Sequence, residues 1–253
     1  MSRSFRSSSP PFQNRRPDKL PLRLLTYLLK FSLLLVTLFG ARRVRAQETV
    51  FDVPSADILE KGKVYGELDG TAQPTTAFFT YTPRVVVGIS HNVELGLNFN
   101  GLSSPTIGQL VASPTVKWRL WNRPNDGWSF YVGDDLSFPV RERTYSVGNY
   151  IYAAFAKQWK HTRISAGAYD YTQHVVAQAN RAGGQFTFEQ QLSSYLTLAA
   201  EWYTGNTDVG YVNSGLIYKA TQKLTLYAAY QVGNANVSKG NHQFLWEIGY
   251  NFN

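Results

Sequence analysis

The ten residues from Gln243 to Phe252 constrain the fold more than any other stretch. Phe244, Trp246, Ile248, Tyr250 and Phe252 alternate there with Leu245, Glu247, Gly249 and Asn251. Successive strand side chains point to opposite faces, so one face carries five large apolar groups while the other is mixed and mostly polar. Open to water, such a strand is an aggregation site. As the closing stave of a membrane barrel, it turns its aromatic face to lipid.

The same period-2 pattern, broken by turn residues, runs through the chain from Gly62 onward. It predicts twelve strands, near 63–72, 78–90, 93–100, 109–121, 127–137, 148–160, 162–171, 182–191, 195–203, 209–219, 223–231 and 242–252. Each has roughly the nine to eleven residues that a tilted membrane strand needs, or slightly more. The connections alternate between longer and shorter, as outer-membrane barrels require with loops outside and tight turns on the periplasmic side. Three of the short ones resemble one another: Ser90-His91-Asn92, Ser193-Ser194-Tyr195 and Thr221-Gln222-Lys223 each precede a strand with apolar residues at alternate positions. A repeated hairpin of this kind suits an up-and-down meander.

Strand by strand, one face collects Val85, Val87, Ile89, Val93, Leu95, Leu97, Phe99, Val116, Trp118, Leu120, Leu196, Leu198, Trp202, Leu224, Leu226 and Tyr230. The other collects Glu67, Asp69, Arg84, Glu94, Lys117, Arg119, Glu189, Glu201 and Glu247. Size decides which face is inside. A barrel of about eight strands can be filled by its own side chains, whereas a larger one keeps a cavity. An apolar face turned inward in a twelve-stranded barrel would enclose an oily void with nothing to fill it. The apolar face therefore meets lipid and the charged face lines a lumen.

Aromatic residues fit two interfacial girdles. Trp118, Trp121, Trp128 and Trp159 lie near tight turns, and Tyr81, Tyr150, Trp202 and Tyr230 near loop ends. Lys157 breaks the outward pattern but lies close to the tight-turn rim, where its stem can snorkel. Asp134 fits less well, and Gly133-Asp134-Asp135 is expected to hold a register-resetting bulge.

The formal charge of +8 is misleading. Ten of the 25 Lys and Arg but one of the 17 Asp and Glu precede Gln47, which leaves 15 bases against 16 acids. No nucleic-acid partner is implied. The first 46 residues read as an export signal, with a basic start, the apolar run Phe31–Phe39 and a small-residue cleavage pattern ending at Ala46, before Gln47. An uncleaved anchor over Leu20–Gly40 is the alternative. There is no cysteine, which excludes disulfides, thiolate metal sites and cysteine nucleophiles.

Residues 47–62 form a periplasmic lead-in or partial plug, with a short helix between an N-cap at Ser55 and a C-cap at Gly62. The barrel is residues 63–253. No catalytic or metal-binding constellation stands out, because His91, His161, His174 and His242 are isolated and no Gly-x-Ser-x-Gly elbow occurs. The nine inward charges carry two readings: a constriction that sorts solutes by charge, or internal salt bridges that brace or block the lumen. First and last strands must pair to close the barrel, which brings Glu67 near Glu247, with Arg84 one strand away.

The runs Val53–Tyr65 (VPSADILEKGKVY) and Val87–Leu97 (VGISHNVELGL) resemble outer-membrane transporter barrels grouped under the name "MetA-pathway of phenol degradation". The resemblance implies a pore for small solutes, aromatic ones included, and supplies no catalytic or ligand residues. Asn253 departs from the terminal aromatic of such barrels, so Phe244, Trp246, Ile248, Tyr250 and Phe252 serve as the expected signal for the barrel assembly machinery. The expectation is an all-β, transmembrane, antiparallel barrel of the bacterial outer membrane that passes small solutes by diffusion, without a cofactor. One rival is a closed structural barrel acting through its extracellular loops, with Arg141, Glu142, Arg143 and Tyr145 as contacts. The other is a membrane-embedded lipid-modifying enzyme.

Overall fold

The computed structural model describes residues 49–74, 78–104, 110–140, 147–172, 181–205, 207, 209–234 and 241–252. Thirteen strands follow in order: β1 (Val64–Gln73), β2 (Phe78–Gly88), β3 (Val93–Asn100), β4 (Leu102–Ser104), β5 (Val111–Arg123), β6 (Trp128–Pro139) and β7 (Gly148–Gln158). Then come β8 (Thr162–Tyr171), β9 (Ala182–Gln191), β10 (Leu196–Tyr203), β11 (Tyr211–Lys219), β12 (Leu224–Gly233) and β13 (His242–Asn251). β3 and β4 are two parts of one stave. Both pair with β2, and their register shifts by one residue at Gly101, whose φ of 83° marks a glycine bulge. The barrel therefore has twelve staves, joined as an antiparallel meander.

Closure is made by β1, which pairs with β2 on one side and with β13 on the other, from Tyr65↔Asn251 to Ala72↔Phe244. Lipid offers no hydrogen bonds to an open sheet edge, so this last pairing is what permits the sheet to span a bilayer. The similar short connections prove to be one turn repeated. Ser90, Ser193 and Thr221 each accept, through the side-chain oxygen, the backbone N–H groups two and three residues on, at 2.9–3.3 Å. A hydroxyl that satisfies two turn amides fixes the hairpin locally.

The apolar face points outward along every stave. Leu95, Val116, Leu198, Leu216, Leu226, Ile248 and Phe155 (53% exposed) form its belt. Trp246 lies across Gly70, where a methyl group would collide with the indole. Lys157 snorkels as expected, with Nζ 4.7 Å from the centre of the Trp128 ring and a bond to the Asp126 carbonyl. Two expectations need correction. No bulge occurs at Gly133–Asp135, where register continues on both sides, and the irregularity lies at Arg119–Trp121 instead. Asp134 stays outward, between Val116 and Ile151. Tyr150 is no girdle residue: it shares the inward parity of Tyr152, Ala154 and Ala156 and is only 6% exposed.

Among its described residues, from Thr49 onward, the lead-in contains no helix, and it lies inside the barrel. From Thr49 to Leu59 it runs against the lumen wall, with Val50, Phe51, Val53 and Leu59 buried. Thr49 bridges Pro54, and the Val50 N–H bonds the Val53 carbonyl at 2.8 Å, forming a tight loop. Gly62 has the positive φ foreseen for a cap (79°), yet it closes a turn into β1. A helix this short is marginal in isolation, and the backbone donors of this segment find acceptors on the barrel wall instead. The lumen thus holds a small apolar core after all. Val50 and Phe51 pack with Ala199, Ile217, Tyr227, Ala229 and Leu245, while Val53 packs with a group of tyrosines.

Candidate functional site in the lumen

Strand parity aims seven of the nine predicted charges into the barrel as buried groups: Glu67, Asp69, Glu94, Lys117, Glu189, Glu201 and Glu247. Arg84 and Arg119 are partly buried. They gather into separate stations, and the lead-in touches most of them.

Toward the loop end of β10, the Glu201 carboxylate accepts three consecutive backbone N–H groups of the lead-in: Phe51 at 3.1 Å, Asp52 at 2.8 Å and Val53 at 2.9 Å. Asn213 of β11 donates to the same carboxylate at 2.5 Å and to the Asp52 carboxylate at 3.0 Å. Gln231 of β12 also donates to Asp52. Burial pushes the Asp52 carboxyl above its ordinary range, and Arg84 and the two amides pull against that shift. Tyr203 donates to the Asp52 carbonyl at 3.2 Å, and Tyr131 to the Pro54 carbonyl at 2.9 Å.

Nearer the tight-turn rim, Glu94 of β3 accepts the Leu59 N–H at 2.6 Å while pairing with Lys117 of β5 at 2.7 Å. Arg163 of β8 forms a fork on Glu189 of β9, at 2.7 and 2.8 Å, and reaches Asp57 of the lead-in at 2.8 Å. Bidentate pairs of this kind fix geometry as well as charge. Arg119 sits on the rim, donating to the His91 carbonyl at 2.9 Å. Gly88 lets the lead-in cross closely, since a methyl group there would strike the Glu60 carbonyl.

At the closing seam, Glu67 and Arg84 face one another across β1 and β2, and Asp69 and Glu247 across β1 and β13. Arg84 Nε lies 2.6 Å from Asp69, and its guanidinium donates to Thr49 of the lead-in at 3.3 Å. The opposite wall is mainly aromatic. Tyr150, Tyr152, Tyr169, Tyr171 and Tyr203 make a continuous set of ring contacts, and the Tyr150 hydroxyl lies 2.6 Å from Gln185 and 2.7 Å from that of Tyr203. This wall escaped the sequence reading, although the inward parity of β7 and β8 contained the signal. A cavity of about 400 Å³ remains at the tight-turn end, lined in part by Asp57, Arg119, Arg163, Glu189, Lys219 and Tyr227.

The girdle candidates Trp118, Trp121, Trp128, Trp159, Trp202 and Tyr230 all point outward at two levels. Of the assembly-signal candidates, Phe244, Ile248, Tyr250 and Phe252 are exposed on the lipid side, and Trp246 is partly buried beside Tyr81. Ala46, Gln47, His174, Asn253 and the loop candidates Arg141, Glu142, Arg143 and Tyr145 lie outside the described residues.

No family model matches the chain, and no curated protein matches it in sequence. Solved structures do match. One is the KdgM porin in complex with disordered oligogalacturonate, at 11% identity and a TM-score of 0.56, covering 75% of this chain and 99% of that one. Another is the NanC porin, at 12% identity and a TM-score of 0.52, covering 74% and 99%. Outer membrane phospholipase A from Escherichia coli also matches at 12% identity, covering 78% and 94%, but its TM-score of 0.43 is too low to bear on chemistry. At such identities the likeness is one of fold. A closed twelve-stave barrel with this fold and a largely apolar exterior is a protein of the bacterial outer membrane.

Proposed function

We propose that the protein is an outer-membrane channel for small solutes whose passage is governed by its own lead-in. The observation that carries this reading is how the segment is held. Glu201, Glu94 and Arg163 grip it through polar contacts that exchange with water, and its apolar packing is confined to a few side chains, Val50, Phe51, Val53 and Leu59 among them. Displacing residues 49–59 would leave a wide lumen lined by these same charges, and their arrangement would then sort solutes. Basic residues at the tight-turn cavity, Arg119 and Lys219 among them, favour negatively charged solutes there. Kinship with the transporter barrels that the sequence resembles belongs to the same proposal. Catalysis has no part in it.

Planar-bilayer recording of the refolded mature chain tests the reading. The parent should open briefly and rarely, and Glu201→Ala should give longer openings of larger conductance. Equal opening in both would remove the gating role. The filled lumen also favours a second reading, a closed barrel that acts through its outer loops. Silence from both proteins would support that instead.

A further inference from the structure

We propose that Glu67, Asp69 and Glu247 hold a hard divalent cation, calcium by size, at the seam where the first and last staves meet. The ladder between β1 and β13 sets Asp69 directly across from Glu247, with Glu67 on the same inward face two residues along. Carboxylate oxygens of all three lie within 4.8 Å of one another. A cation held about 2.3–2.6 Å from each oxygen, as calcium is, spans such a separation. An all-oxygen donor set selects hard ions over soft ones.

The independent sign of a ligand is Glu247. It is 1% exposed, and among the described residues neither of its carboxylate oxygens has a hydrogen-bond partner. Buried carboxylates elsewhere in this lumen are satisfied: Glu201 accepts three backbone N–H groups, and Glu189 carries the Arg163 fork. At the seam, Arg84 is, among the described residues, the one basic group paired with the cluster, 2.6 Å from Asp69 and 3.9 Å from Glu67. Three buried carboxylates against one guanidinium leave two negative charges uncompensated, which a divalent ion neutralises. The Tyr65 hydroxyl donates to Glu67 at 2.5 Å and so orients one of the ligands. Sequence spacing conceals this set, because two ligands come from the start of the barrel and the third from its end.

The refolded mature chain in detergent, stripped with EDTA, gives the test. Calcium chloride titration should show one site per barrel by calorimetry and a melting temperature that climbs with calcium concentration. Terbium in place of calcium should luminesce on excitation of the neighbouring Tyr65 and Tyr227. Glu247→Gln should weaken calcium binding at least tenfold and, in EDTA, melt no lower than the parent because a repulsion has gone. Asp69→Asn serves as a second variant should Glu247→Gln fail to refold. Absence of calcium heat, melting shift and terbium signal would overturn the site and leave shared protons as the neutralising agent. Undiminished calcium affinity in both variants would overturn it too, by placing the ion elsewhere.

Discussion

The outward and inward faces of the same staves are built on opposite physical rules. Outside, Leu216 of β11 is exposed and flanked across the sheet by Leu198 and Ala228. Three residues beyond Leu198 on β10, Glu201 is buried and carries three backbone hydrogen bonds from a segment about 150 residues away. The outer face requires only apolarity, repeated at every second position. The inner face requires particular partners, and each partner is distant in sequence. The outer rule is tolerant of which residue sits where, and the inner rule is not.

The largest expected effect breaks the outer rule. Leu216→Arg puts a charge in the lipid belt and should destabilise the barrel by about 2–4 kcal/mol, read from unfolding titrations in lipid vesicles. An equal cost in Leu216→Asn, with no dependence on bilayer thickness, would show that something other than lipid touches this face. Glu201→Ala tests the inner rule. It strands three amides and should weaken lead-in docking by about 1–3 kcal/mol. Limited proteolysis should then cut residues 49–62 with the barrel intact, and uniform loss of the whole fold would mean that the segment is integral to it. The smallest effect sharpens the comparison at an exception. Asp134 breaks the outer rule between Val116 and Ile151, so Asp134→Leu should stabilise the barrel by about 1 kcal/mol. Loss of stability there would indicate that the carboxylate has a partner in the membrane.

This difference also explains what was legible in the sequence. Stave positions, the tight-turn rim and the lipid face follow from local alternation and from turn hydroxyls at Ser90, Ser193 and Thr221. The neighbourhood of Glu67, Arg84 and Glu247 followed from closure alone, because an even-stranded meander must pair its first and last staves. What the lumen contains did not follow. The helix expected after Ser55 was a local inference about a segment whose donors are satisfied by Glu201 and Glu94 on distant strands. Tyr150 was placed by its closeness to a loop end, whereas parity with Tyr152 puts it inside. The bulge was placed at Gly133 because a charge there looked wrong, yet the extra residue is on the partner strand, near Leu120.

Everything rests on lipid covering the aromatic face. All six tryptophans, Trp118, Trp121, Trp128, Trp159, Trp202 and Trp246, stand on that face, so their fluorescence reports on it directly. After refolding into vesicles of brominated lipid, their emission should be strongly quenched, and aqueous acrylamide should have little effect. Emission indifferent to lipid bromine, from a chain that stays folded and monomeric without detergent, would contradict the account.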